Sequence, residues 1–107
     1  MKTTATLLAA AAVTALAFAP GAQAADAEGL AKSSGCLACH TVDKKLVGPS
    51  YKDVADKYRK DKNAEATLVK KVKEGGKGNW GDIPMPPNGH VKDADIKTLV
   101  DWILSLK

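Results

Sequence analysis

The chain has 107 residues and a formal charge of +4, with 16 Lys and Arg against 12 Asp and Glu. That balance is mild and forms no basic stripe with interleaved aromatics, which argues against a nucleic-acid reader. The length allows one domain, and with hydrophobic residues at 45 % but aromatic ones at 5 % its core lies near the lower limit of independent stability.

The first residues have the layout of an export leader. Lys2 supplies a basic start, Leu7 to Phe18 is an apolar run rich in Ala and Leu, and Ala22-Gln23-Ala24 has the small-x-small pattern that signal peptidase reads. The run is too short to span a bilayer comfortably, and no second apolar segment follows; a retained anchor is the competing reading. Cleavage after Ala24 divides the chain into a leader, 1–24, and one mature domain, 25–107, delivered to the periplasm. Loss of Lys2 and Phe18 then leaves 15 basic residues and only Tyr51, Tyr58, Trp80 and Trp102 as aromatics. A large flat cofactor would fill a centre that these side chains leave thin.

Along the mature domain the periodicity predicts helices and no strands. A weak helix runs from about Asp26 to Ser34, carries Leu30 and Ala31, and stops at Gly35. Tyr51, Val54, Ala55 and Tyr58 stand at i, i+3, i+4 and i+7 behind Pro49 and a Ser50 N-cap. Leu68, Val69 and Val72 mark a third helix from about Ala64, with Asn63 as candidate cap and Gly75-Gly76 as stop. Ile96, Leu99, Val100, Ile103 and Leu106 form the strongest stripe, opened by Lys92 or Asp93. Thr41 to Pro49 and Gly75 to His90 are irregular. So long a loop in so small a domain is either functional or disordered, and the embedded Trp80, Ile83 and Met85 favour function.

Cys36-Leu37-Ala38-Cys39-His40 carries the chemistry. Two thiols three positions apart on one helical turn can add to the two vinyl groups of a haem, and the next residue then offers its imidazole to the iron. Three other readings compete. A Cys36–Cys39 disulfide would close only a tiny loop, a thioredoxin-like pair wants a βαβ setting, and zinc would need His90 beside the two Cys and His40. For the second axial position the mature domain has one methionine, Met85, within Ile83-Pro84-Met85-Pro86-Pro87. The prolines restrict the backbone, so a thioether can be held at iron with little added entropy loss. A core-filling Met is the plain alternative, and His90 is the rival ligand, read as a surface residue.

These segments, with Val47-Gly48-Pro49-Ser50-Tyr51-Lys52-Asp53-Val54, Trp80-Gly81-Asp82-Ile83-Pro84-Met85-Pro86-Pro87-Asn88 and Trp102-Ile103-Leu104-Ser105, closely resemble the small bacterial class I cytochromes c of the c-551 type over Ala25 to Lys107. The resemblance implies the all-α class I cytochrome c fold, four to five helices around one haem c attached through Cys36 and Cys39, with His40 and Met85 on iron. It implies that the Pro49 carbonyl accepts from His40 Nδ1, that Asn88 donates to the Met85 sulfur, that the Trp80 indole bonds a haem propionate, and that Lys71 lies near a propionate. Lys stands at that position where an Arg would bind bidentately, and Gly89-His90 after Asn88 is a further departure.

The function implied is that of a soluble, monomeric one-electron carrier and not an enzyme. Its partners would be periplasmic or membrane-bound redox proteins: a cytochrome complex as donor, and a terminal oxidase, nitrite reductase or peroxidase as acceptor. Lys32, Lys44, Lys45 and Lys77 are candidates for steering them. The opposing hypothesis is a haem enzyme or gas-binding protein in which Met85 is off the iron or easily displaced.

Overall fold

The computed structural model describes residues 9–12 and 20–107. Four helices follow in order, α1 (Pro20–Ser33), α2 (Tyr51–Tyr58), α3 (Ala64–Glu74) and α4 (Asp93–Ser105), with one turn of 3-10 helix at Cys36–Ala38. Among the described residues the only β feature is an isolated antiparallel bridge between Gly76 and Met85. The all-α architecture is the expected one. Most of the proposed leader lies outside the described residues.

α1 begins at Pro20, earlier than the stripe near Asp26 suggested. Proline suits the first helical position, where its missing N–H costs nothing, and Ala22, Ala24 and Ala25 are strong helix formers. A stripe criterion registers only the packed part of the helix, where Ala27 and Ala31 are buried. α2 starts as its sequence indicates: Ser50 Oγ accepts the Asp53 N–H at 3.1 Å, and the helix buries Tyr51, Val54 and Ala55. α3 starts at Ala64 as expected, but the Asn63 side chain makes no capping bond. Asp61 Oδ1 instead accepts the Asn63 N–H at 2.8 Å and shapes the turn. At the other end the Gly75 N–H closes α3 on the Lys71 carbonyl at 2.7 Å.

α4 is the hub, packing on α1, α2 and α3. Its buried face is Ile96, Leu99, Val100, Trp102 and Ile103, each aliphatic member contributing roughly 1.5–3 kcal/mol by leaving water. Asp93 and Asp95 in its first turn complement the positive end of the helix dipole, and the Lys73 ammonium on α3 pairs with Asp93. α2 and α3 both lean on α4 with little contact between them, so a cleft opens there.

The two irregular segments are tied down on either side of it. In the first, the Gly48 N–H reaches the Cys39 carbonyl at 2.7 Å, the Tyr51 N–H reaches Thr41 at 2.9 Å and the Lys52 N–H reaches Val42 at 3.1 Å. In the second, Gly76 and Met85 exchange both backbone bonds at 2.9 and 2.8 Å.

Candidate cofactor site

Residues from every part of the mature domain except α1 line the cleft. Cys36, Cys39 and His40 come from the short helical turn, Trp80 to Pro86 from the long loop, Leu68 and Val72 from α3, and Leu99, Val100 and Ile103 from α4. The space measures about 1080 Å³ with its open mouth included.

His40 is held at one nitrogen and from two sides of its ring. Its Nδ1 lies 2.8 Å from the Pro49 carbonyl, an acceptor, so Nδ1 carries the proton and Nε2 keeps its lone pair for a metal. The Tyr51 ring stacks at 5.1 Å and 20°, and Tyr51 in turn meets Trp102 edge-on at 5.6 Å. Gly48 passes so close that a Cβ there would stand 2.5 Å from His40 Cε1 and 2.9 Å from Nδ1. Only glycine fits at that approach.

The two thiols are not bonded to one another. Burial pushes the Cys36 thiol up, against the lowering effect of its hydrogen bond with Tyr51. Burial, followed by the neighbouring Cys36 and Cys39, raises the Tyr51 phenol well above its ordinary value. At neutral pH the Tyr51 hydroxyl is therefore protonated. Among the described residues no three His, Cys, Asp or Glu side chains converge as a metal site of the zinc type needs, and His90 is exposed and does not line the cleft.

Met85 is placed by backbone. Besides its bridge to Gly76, its carbonyl sits where a Cβ on Gly75 would come within 2.4 Å, and Gly75 has φ +71°. Both the close contact and the left-handed conformation call for glycine. Asn88 closes the loop: its N–H reaches the Val72 carbonyl at 3.1 Å, and its Nδ2 donates to the carbonyls of Val72 and Pro86, both at 3.1 Å. The side-chain amide thus spends its donors on backbone, and the expected bond to the Met85 sulfur is not among those formed. Val72 in α3 and Pro86 in the loop each offer a carbonyl, a stronger acceptor than a thioether.

Lys71 lies half-buried on the cleft, its ammonium against Gly76. Trp80 lines the cleft and is 42 % exposed, and Ile83 is 65 % exposed at the mouth. Sequence reading took Tyr51 only as a member of a helical stripe, Gly75 only as a helix stop, and Lys57 not at all. The Gly48-Pro49 pair is the one local signal of a close approach to His40.

The donor set tests whether a haem suits this cleft. Two thiols at vinyl spacing, an imidazole with its tautomer set, a thioether on a fixed loop and apolar walls are what a covalently held tetrapyrrole requires. Fold and site therefore define an all-α domain folded about one such group. The cytochrome c family profile matches residues 19–107. Cytochrome c-551 of Allochromatium vinosum is 62 % identical over 77 residues, covering 72 % of this chain and 82 % of its own. Cytochrome c-551 of Pseudomonas aeruginosa is 52 % identical over 90 residues, covering 84 % and 86 %. The crystal structure of Nitrosomonas europaea cytochrome c552 superposes with a TM-score of 0.73 at 54 % identity, covering 75 % of this chain and 99 % of that one. The chain belongs to the cytochrome c family, as a small class I member of the c-551 type, and is a monohaem electron carrier with one covalently attached haem c.

Proposed function

We propose that the chain is a soluble periplasmic one-electron shuttle, made with a leader at residues 1–24, whose haem iron is bound by His40 and Met85. The observation that carries the reading is the convergence of four donors on one apolar cleft, each with its own restraint. Pro49, Gly48 and Tyr51 hold His40, while Gly75, Gly76 and the Asn88 bonds hold the Met85 segment.

The haem supplies a one-electron iron couple. The chain's own residues make that couple fast and selective. With the His40 imidazole and the Met85 thioether both held on rigid backbone, the iron they bind would be closed to substrates and little would rearrange when its charge changes. The apolar walls from α3 and α4 exclude water, and the neutral sulfur favours the ferrous state. Leu46, Val47 and Ile83 are exposed large apolar residues, with Val47 and Ile83 on the cleft; they provide a small contact surface for weak encounters with redox partners. Among the described residues no helix is long and apolar enough to cross a membrane, which fits a carrier released from its leader. The partners proposed are a cytochrome complex as donor and a terminal oxidase, nitrite reductase or peroxidase as acceptor.

Visible and electron-paramagnetic spectra of the purified periplasmic protein test the assignment. Low-spin ferric iron with a weak methionine-to-iron charge-transfer band is expected. Met85→Ala should keep the haem attached, abolish that band and lower the potential. High-spin iron in the unaltered protein, or a band that survives Met85→Ala, removes Met85 from the metal.

A further inference from the structure

Lys57, in the last turn of α2, is engaged unlike the other lysines that make side-chain contacts. Lys52, Lys73 and Lys97 pair with carboxylates, Asp43, Asp93, and Glu65 with Asp101 respectively. The Lys57 ammonium instead donates to the Asn79 carbonyl at 2.8 Å and stands 4.5 Å from the centroid of the Trp80 ring. It also lies 6.0 Å from the Tyr58 ring. No carboxylate is paired with it among the described residues. Asn79, Trp80 and Tyr58 all line the cleft.

The geometry has two consequences. First, segment 78–81 is a tight turn, closed on itself by a Gly78 N–H bond to the Gly81 carbonyl at 2.9 Å. Beyond that bond, the Lys57 contacts tie it across to α2. A cation over an indole face is attracted by the ring quadrupole, so the ring orientation depends on where the ammonium is held. Second, neither partner of Lys57 neutralises it. A carbonyl and a ring quadrupole leave a full positive charge beside Asn79 and Trp80, which line the cleft together with Lys71 and Lys77. A planar ligand carrying carboxylates would find its counter-charge there.

We propose that Lys57 is a positioning residue for Trp80: it clamps the Asn79–Trp80 turn to α2 and sets an uncompensated positive charge beside the haem carboxylate edge, raising the reduction potential. The inference rests on the proposed haem-binding reading of the cleft. Lys71 and Lys77 bring charge to the cleft lining, but it is the Lys57 ammonium that stands over the Trp80 ring, so the clamp belongs to Lys57.

The test uses the holoprotein and three variants: Lys57→Met, Lys57→Arg and, as a surface-charge control, Lys60→Met. Lys57→Met keeps the length and helix propensity of the side chain while removing the ammonium. It should broaden or shift the Trp80 indole N–H resonance in the ferrous protein. It should also move the exchange equilibrium with a redox standard roughly threefold toward ferric, the size expected of one partly screened charge across a small cleft. At 59 mV per tenfold for one electron, that is about 28 mV. Lys57→Arg, which retains the charge, the ring contact and a donor for Asn79, should restore both readouts, and Lys60→Met should change neither. The proposal is overturned if Lys57→Met leaves the indole resonance in place, or if Lys60→Met lowers the potential as much. Failure of Arg to rescue also sinks it. Should Lys57→Met not accumulate, the Trp80 indole N–H exchange rate in the unaltered protein decides: exchange as fast as that of an exposed indole rules the clamp out. Loss of the haem spectrum in the unaltered protein would refute the cofactor reading itself, an outcome separate from all of these.

Discussion

Gly48 and Gly75 stand where the chain passes closest to the two residues proposed as axial ligands. The two positions resist a side chain for different reasons. At Gly48 only space is at issue, since a Cβ would meet the His40 ring at 2.5 Å. Gly48→Ala must push the imidazole away from its Pro49 acceptor or shift the loop, and overpacking of this kind costs about 1–3 kcal/mol. The expected outcome is a lower Tm and an altered axial field in the haem spectrum. Gly29 in α1 makes the contrast: nothing lies within 4 Å of a Cβ there, so Gly29→Ala should raise stability by up to about 1 kcal/mol. Thermal unfolding of the two variants side by side checks the sign. An unperturbed Gly48→Ala protein would mean that the approach to His40 is looser than the geometry requires.

Among the elements, α2 places the most site residues for its length. Its first residue, Tyr51, stacks on His40 and lines the cleft, while at its other end Tyr58 lines the cleft and Lys57 reaches Asn79 and Trp80, which do too. The start of the helix is fixed by Ser50, whose hydroxyl is buried and bonded to the Asp53 N–H. Ser50→Ala removes that bond and is expected to cost about 1 kcal/mol, readable as a lower denaturant midpoint at unchanged m-value. The C-terminal end is held by the Arg59 guanidinium, 3.2 Å from the Leu106 carbonyl and 2.8 Å from Asp56. Those partners are half-exposed, so this contact is worth little beside the cap.

For the molecule as a whole, the balance between core and cofactor decides stability. The buried core comprises mostly small and aliphatic side chains, with Tyr51 and Trp102 as its aromatics. Its members Leu68 on α3 and Leu99, Val100 and Ile103 on α4 line the cleft as well. Cys36→Ser/Cys39→Ser should therefore prevent accumulation of the mature protein, since the unfilled cleft exposes that lining. A stable, colourless, helical double variant, seen by circular dichroism, would contradict the view that the haem organises the core. Charge acts at the same scale. With a formal charge of +4, electron exchange with an acidic partner should slow as salt rises, because screening shortens to about 3 Å at 1 M. A rate independent of ionic strength would leave no role for steering.

The amino-acid sequence by itself determined the helices, the attachment pentapeptide and the ligand candidates, because each is a local pattern. A stripe, a cap, a spacing or a proline-bounded methionine is written within a few residues. The Pro49 carbonyl as partner of His40 was implied by the resemblance to the family, and the structure places the two 2.8 Å apart. Tertiary structure decided what depends on backbone meeting backbone across the chain. The Asn88 amide goes to Val72 and Pro86, Gly75 lies against Met85, and Lys57 reaches over twenty-two residues to Asn79. No periodicity encodes such approaches. They follow only when α2 and α3 are set against α4, and that packing fixes which donors find which carbonyls.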